Sequence, residues 1–397
     1  MFHKTWDIIK YKIKSGGSTK MKKILALTLA AVMACTAALS GCGLQKTGPA
    51  GSSSASSGAA KTEGLKVGFI YIGSIGDAGY SYAHDLGRKA IEEKLGSKGV
   101  TTIKVESVPE TAESEKAMRN LIDQGCKAIF ATSFNYMDYV EKVAKEYPDV
   151  KFFHCSGYKS NTTNFVNYFG RIEQARYLSG IAAGLKTKTN KIGYVAAMQI
   201  PEVIRGIDAF TLGVRSVNPT AVVNVKWTNT WLDAQLEKDA ALALLNEGND
   251  VITQHQDTTG PQIAAQEKGA FAIGYNSDSR NAAPKAYITA PIWNWGVYYV
   301  DQVQKILDGT WKAENYMGTM KDGLIDLAPL TDNAAPGTKE KIDAAKAKIL
   351  DGSLDIFAGP IKDQTGNVKI AKGATMSDKE LSECKWFVEG VNGEIAK

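Results

Sequence analysis

Residues 66–95 read KVGFIYIGSIGDAGYSYAHDLGRKAIEEKL, and the change of period inside this stretch decides the fold. Lys66–Ile72 is a short, almost continuous apolar run, the pattern of a strand buried on both faces. From Tyr80 to Leu95 the apolar residues fall at helical spacing, and the loop between the two is rich in glycine. A strand that feeds a helix through such a loop is the first half of a βαβ unit.

The same alternation continues outward from there. Thr101–Ser107 leads to a helix over Thr111–Gln124, Lys127–Thr132 to Tyr136–Tyr147, then comes a strand at Lys151–Cys155, and Phe165–Phe169 leads to Ile172–Lys186. A second series begins with Lys191–Ala197 and the helix Pro201–Val217, followed by Ala221–Thr228 and Asp233–Glu247. Val251–Gln254, a helix near Pro261–Lys268, Phe271–Tyr275, Ala286–Thr289 and the helix Trp295–Leu307 complete it. Gly248, Asp250, Gly269 and the Asn218-Pro219 pair punctuate the boundaries. The fold class is therefore α/β, with two doubly wound parallel-sheet lobes. The N-terminal lobe is assigned to residues 65–188, with about 291–318 returning to it, and the C-terminal lobe to 189–290. Residues 319–397 break the rhythm. They read as a strand at Gly323–Leu327, a helix at Lys339–Asp351 and a terminal element that packs back on the lobes.

The front of the chain has another character. Met21-Lys22-Lys23 precedes a mostly apolar run, Ile24–Leu39, which closes on Leu39-Ser40-Gly41-Cys42. Positive charge, a short apolar segment and small residues are the order of an export signal, and the run is shorter than a membrane span needs. The ending is similar to a lipobox, so Cys42 is expected to carry the lipid and residues 1–41 to be leader and signal, with Met21 the expected start. Gly43–Gly64, whose centre is Gly, Ser and Ala, reads as a flexible linker with roughly 25 Å of typical reach. The folded body is expected outside the cytoplasm, tethered to the membrane through that lipid.

The formal charge of +5 belongs to the front of the chain. Seven of the 47 Lys and Arg and one of the 42 Asp and Glu precede Cys42, which leaves 40 positive and 41 negative residues after it. No basic stripe remains for nucleic acid. Beyond Cys42 the cysteines are Cys126, Cys155 and Cys384, an odd number with no C-x-x-C, which argues against a disulfide framework or a Cys₄ zinc site. The histidines His84, His154 and His255 are far apart and form no HExxH, so no metal or other cofactor is expected.

Open α/β sheets bind ligands beyond the carboxyl ends of their strands, and lobe interfaces favour pockets. The loops at those ends hold Gly73–Tyr80, Ser133-Phe134-Asn135, Ser156-Gly157-Tyr158, Asn229-Thr230-Trp231, His255-Gln256-Asp257, Asn276-Ser277-Asp278 and Pro291–Trp295. They are rich in aromatics, amides and carboxylates and poor in Lys and Arg. Such a set suits a flat, neutral ligand with hydrogen-bonding edges better than a phosphate. The candidate ligand residues are Asp77, Tyr80, Ser133, Phe134, Trp231, His255, Asp257, Asp278, Trp293 and Asn294. Several have a plainer alternative: Asp77 as a helix cap, Tyr80 and the tryptophans as core, the remaining carboxylates as solvated surface. His255 beside Asp257 lacks a nucleophile or a metal set, so no catalytic residue is assigned.

At these residues the chain resembles the basic membrane protein family of ABC-transporter substrate-binding lipoproteins. The resemblance runs from about Lys66 to Lys312, with a fainter trace at Ala345–Ile361. It is carried by KVGFIYIGSIGDAGYSYAHDLG, YPDVKF at Tyr147–Phe152, EQARYLSG at Glu173–Gly180, IGYVAAMQIPEVIRGIDAFTLGVRSVNP at Ile192–Pro219 and LDGTW at Leu307–Trp311. It implies a type I periplasmic-binding fold whose hinged cleft closes on a purine and delivers it, as a monomer, to an ABC permease and its ATPase. It also implies ligand roles for Asp77 and, by stacking, for Tyr80. Two departures bear on the ligand. The family often carries a lysine near Ile292–Asn294 and an Asp near Ser156, both suited to a ribose, and this chain has neither. A free base such as adenine is therefore the expected ligand, with a purine nucleoside as the alternative. Hinges are expected near Lys186–Asn190 and Thr289–Asn294. Other classes considered are a purine-processing enzyme outside the cell, a ligand sensor without a permease, and an oxidoreductase suggested by Gly73-x-x-Gly76-x-x-Gly79. The last spacing is not that of a dinucleotide loop, and Asp77 stands where a pyrophosphate would lie.

Overall fold

The computed structural model describes residues 64–396. The upstream leader, the signal segment, the lipidation site Cys42 and all of the linker except Gly64 lie outside the described residues.

The first sheet is built from β1 (Lys66–Ile70), β2 (Thr101–Val105), β3 (Cys126–Ala131), β4 (Lys151–Cys155) and β5 (Phe165–Gly170). The helices α1 (Tyr80–Leu95), α2 (Ala112–Asp123) and α3 (Met137–Glu146) connect its strands. Four of the five residues of β1 and of β4 and all six of β5 are buried, as strands covered on both faces must be. After α4 (Glu173–Lys186) the second sheet begins with β6 (Lys191–Ala196), α5 (Pro201–Val217), β7 (Val222–Trp227), α6 (Ala234–Asn246) and β8 (Val251–His255). It continues through α7 (Gly260–Glu267), β9 (Phe271–Ile273) and β10 (Tyr287–Thr289). Then come β11 (Pro291–Trp293), α8 (Trp295–Leu307), β12 (Tyr316–Gly318), β13 (Ile325–Leu327) and α9 (Thr338–Leu350). A short hairpin, β14 (Ile361–Lys362) with β15 (Val368–Ile370), the one-turn helix α10 (Asp378–Ser382) and β16 (Val391–Asn392) end the chain.

Both large sheets have six strands, in the orders β12-β5-β4-β3-β1-β2 and β10-β9-β8-β6-β7-β16. All of their pairings are parallel. The two-lobed, doubly wound architecture expected from the alternating sequence is the one that forms. The chain passes between the sheets three times: through α4, through β11 and α8, and after β12. At the first passage Asp250 fixes the connection, accepting from Thr187 Oγ1 (2.6 Å) and from the amides of Lys188 (2.7 Å) and Thr189 (3.0 Å). At the other two, β11 pairs antiparallel with β13. The last residues therefore divide their attachment, β12 extending the first sheet and β16 the second.

The helix α4 follows the last N-terminal β-type run in sequence but packs along α5 of the second series. The approach depends on glycine. A Cβ on Gly180 would lie 2.1 Å from the Phe210 carbonyl oxygen, and one on Gly213 would lie 2.0 Å from that of Tyr177. Gly180 and Gly184 are one helical turn apart, so one face of α4 presents backbone to backbone.

Candidate functional site

The carboxyl ends of the two sheets face each other across a cleft, and the loops leaving them close over a cavity of about 410 Å³, its opening included. From the first sheet come Tyr80 at the start of α1, Ser133 and Phe134 after β3, Ser156 after β4 and Phe169 in β5. From the second come Ile200 and Glu202 after β6, Trp231 after β7, His255 and Asp257 at the end of β8, and Tyr275 after β9.

The lobes are closed on one another. Ser277 Oγ donates to the Ala78 carbonyl at 2.6 Å, and Gly79 lies against the main chain of Asp257. Five non-glycine residues in the loops beyond the strands have positive φ: Ala78 (54°), Ser107 (55°), Ser156 (60°), Asn229 (56°) and Asn276 (69°). Asparagine tolerates that region, whereas Ala78, Ser107 and Ser156 hold it against a steric cost. Strain gathered at one rim is a mark of loops shaped for a ligand.

Five aromatic side chains, Tyr80, Phe134, Phe169, Trp231 and Tyr275, form much of the wall. Tyr275 is backed by the guanidinium of Arg176, 3.6 Å from its ring centre, and Arg176 is itself fully buried. The polar part of the wall holds two carboxylates and no Lys or Arg. Glu202 Oε2 lies 3.2 Å from His255 Nε2. Burial pushes the Glu202 carboxyl up, but His255, Arg205 and Arg176 outweigh it and hold it below its ordinary value. Burial likewise lowers the His255 imidazole, against the pull of Glu202. The two side chains thus face one another at hydrogen-bond distance, with the charged form of the carboxylate favoured. Asp257 is the opposite case: burial, then the neighbouring Asp77, Glu237, Glu110 and Glu202, push its carboxyl well above the usual range. Trp231 Nε1, His255 Nδ1 and Glu202 Oε1 are buried without a hydrogen-bond partner among the described residues. Orphaned polar atoms on a cavity wall are places where a ligand makes its bonds.

Of the residues singled out from the sequence, Tyr80, Ser133, Phe134, Trp231, His255 and Asp257 come together on this wall. Asp77, Asp278, Trp293 and Asn294 lie outside it. Asp77 caps α1, its two oxygens accepting from the amides of Gly79 (2.8 Å), Ser81 (2.7 Å) and Tyr82 (3.0 Å). Asp278 pairs with Arg280 at 2.6 Å, and Asn294 Nδ2 donates to the Gly323 carbonyl at 3.2 Å. Trp293 lies behind Phe169 (4.9 Å) and stacks on Trp295 (4.5 Å), its Nε1 donating to Asn276 Oδ1 at 3.1 Å. Sequence reasoning missed Glu202, Ile200, Ser156, Phe169 and Tyr275 as wall residues. The available signal for Glu202 was its place in the first turn of a helix after a central strand, the position at which such sheets bind ligands. Among the described residues no group of three or more His, Cys, Asp and Glu is placed to hold a metal, and no helix is long and apolar enough to cross a membrane.

Comparison with known proteins follows the same line. A family model described as Bmp, ABC transporter substrate-binding protein PnrA-like, matches residues 65–356. A purine-binding protein of Brucella abortus is 43% identical over 333 residues, 84% of this chain and 94% of that protein. A Haloferax volcanii protein named as an ABC transporter glucose-binding protein is 37% identical, over 85% of this chain and 83% of that protein. Among solved structures, an ABC transporter solute-binding protein from Aeropyrum pernix shares the fold with a TM-score of 0.64 at 18% identity, covering 80% of this chain and 96% of that one. One from Conexibacter woesei gives 0.60 at 21% identity, covering 73% and 98%.

Proposed function

Since this chain belongs to the PnrA-like Bmp family of ABC-transporter substrate-binding proteins, we propose that the ligand it carries to its permease is a purine, taken as the free base with adenine foremost. As a member of that family it is a non-enzymatic binding protein that works outside the cytoplasm. The observation that carries the purine reading is the wall itself: five aromatic side chains around two carboxylates, with no cation. Flat faces suit a heteroaromatic ring, and carboxylates suit its N–H groups, whereas a phosphate would find no Lys or Arg on the wall. The Brucella relative's name supports the same ligand class. The lack of a lysine near Ile292–Asn294 and of a carboxylate at Ser156 favours the base over the nucleoside.

A second reading, a hexose, is favoured by the name of the Haloferax relative, since sugar hydroxyls also donate to carboxylates and pyranose faces also lie on aromatic rings. Calorimetry with adenine, hypoxanthine, guanine, adenosine, guanosine and glucose separates the two. Saturable binding of adenine with none of glucose is expected, and the reverse overturns the purine reading. Tethering through a lipid on Cys42 belongs to the same proposal. Membrane fractionation of wild type and Cys42→Ala tests it, since a variant that stays with the membrane would exclude that anchor.

A further inference from the structure

We infer that Glu202 is the acceptor that reads a ring N–H present on a free purine base and absent from its nucleoside, and that His255 is the positioning residue that aims it. The inference rests on the purine reading above and goes on to name the atom that discriminates within it.

Glu202 stands in the first turn of α5, just beyond β6, which lies between β7 and β8 in the interior of the second sheet. Its two oxygens have different duties. Oε2 takes the hydrogen bond from His255 Nε2 at 3.2 Å. Oε1 is buried, belongs to a residue on the cavity wall, and has no partner among the described residues. The two arginines that keep the group charged are held elsewhere. Arg176 Nη1 donates to the Gln254 carbonyl at 2.7 Å, and Arg205 Nε is 3.6 Å from Glu173 Oε2. Neither arginine lines the cavity. An ionised Glu202 is a pure acceptor, and a donor from the ligand would complete Oε1.

Asp257 cannot impose the same demand. Burial, then the neighbouring Asp77, Glu237, Glu110 and Glu202, favours its neutral form, which can donate as well as accept. The partnerless Trp231 Nε1–H supplies a fixed donor for a ring-nitrogen lone pair. A free purine carries one N–H on its five-membered ring. In a nucleoside the glycosidic bond replaces it, and Glu202 would be desolvated with nothing to accept. A site whose buried polar group is left unpaired rejects the deficient ligand strongly.

The test is calorimetry on the full chain with adenine, 9-methyladenine and adenosine. Wild type is expected to bind adenine about 100-fold or more tighter than 9-methyladenine. Glu202→Gln keeps the size of the side chain but turns an amide N–H₂ toward the ligand. It is expected to lose about 100-fold for adenine and to bring the two ligands within about threefold of each other. His255→Ala is expected to weaken adenine about tenfold, while His255→Gln, whose amide can donate to Glu202, recovers most of the loss. If Glu202→Gln does not fold, Glu202→Asp, which withdraws the charge by one methylene, is held to the same narrowing of the ratio. A variant that folds and keeps the wild-type ratio overturns the assignment of Glu202. Wild type that binds none of the three purines overturns the purine reading, and this assignment with it, a result distinct from an unchanged ratio.

Discussion

A Cβ on Gly79 would lie 2.2 Å from the carbonyl oxygen of Asp257, so the first lobe's helix start and the second lobe's strand end meet main chain to main chain. No side chain fits between them while the lobes are closed. Gly79→Ala is therefore expected to hold the cleft partly open and to weaken ligand binding by about tenfold or more, with a thermal midpoint within a few degrees of wild type. Calorimetry beside thermal unfolding separates the two effects. An unchanged affinity would mean that the ligand does not need this closure.

The α4–α5 contact is the converse case, in which a methyl group acts on stability. Gly180→Ala would set a Cβ 2.1 Å from the Phe210 carbonyl oxygen and force two buried helices apart. A cost of about 2–3 kcal/mol is expected, a fall in Tm of roughly 3–4 °C. Circular dichroism melts would show it, and a fall under about 1 °C would mean that the helices part at no cost.

Asp77 caps α1 with both oxygens, and this role is separable from binding. Asp77→Ala is expected to cost about 1–2 kcal/mol of stability. Asp77→Ser, which can still cap, should recover about half of that. Adenine affinity should move less than about threefold if the carboxylate serves the helix alone. A large loss of affinity at unchanged Tm would restore the ligand role that the family resemblance implies.

Asp208 lies fully buried in α5, where Oδ1 accepts from the Val388 amide at 3.0 Å and Oδ2 lies 3.7 Å from the Cys384 thiol. Burial pushes its carboxyl well above the ordinary range. The folded protein therefore binds this proton more tightly than the unfolded chain does. The resulting stability is complete below the unfolded value near 4 and is lost as pH rises toward the folded one. Asp208→Asn keeps an acceptor for Val388 and cannot ionise, so its Tm should gain on wild type as pH rises from 5 to 8. Parallel Tm–pH curves would show that Asp208 does not titrate in this window.

Much of the architecture was legible because strand and helix periods alternate over long stretches such as Lys66–Leu95 and Lys191–Val217. What escaped was short or positional. β12 has three residues and β16 two, too few to show any period, and only tertiary pairing reveals that they extend the sheets. Glu202 was read simply as part of the helix Pro201–Val217, because helical spacing says nothing about what the first turn faces. Phe169 and Tyr275 read as strand ends, where an aromatic that lines a cavity looks the same as one in the core. Trp293 misled in the other direction: it follows a strand, but stacking on Trp295 draws it into the interior. Asp77 showed both of its possible roles in the sequence, and the three amide distances establish the capping one.

The final strand has a bearing on how copies of this protein behave near one another. β16 pairs with β7, and Trp227 Nε1 donates to the Glu394 carbonyl at 2.7 Å, so the chain's own end occupies the flank of the second sheet. Without it β7 would offer a row of free amides and carbonyls to any neighbouring chain, a template for edge-to-edge aggregation. Here each molecule keeps part of that flank covered with residues of its own C-terminal segment.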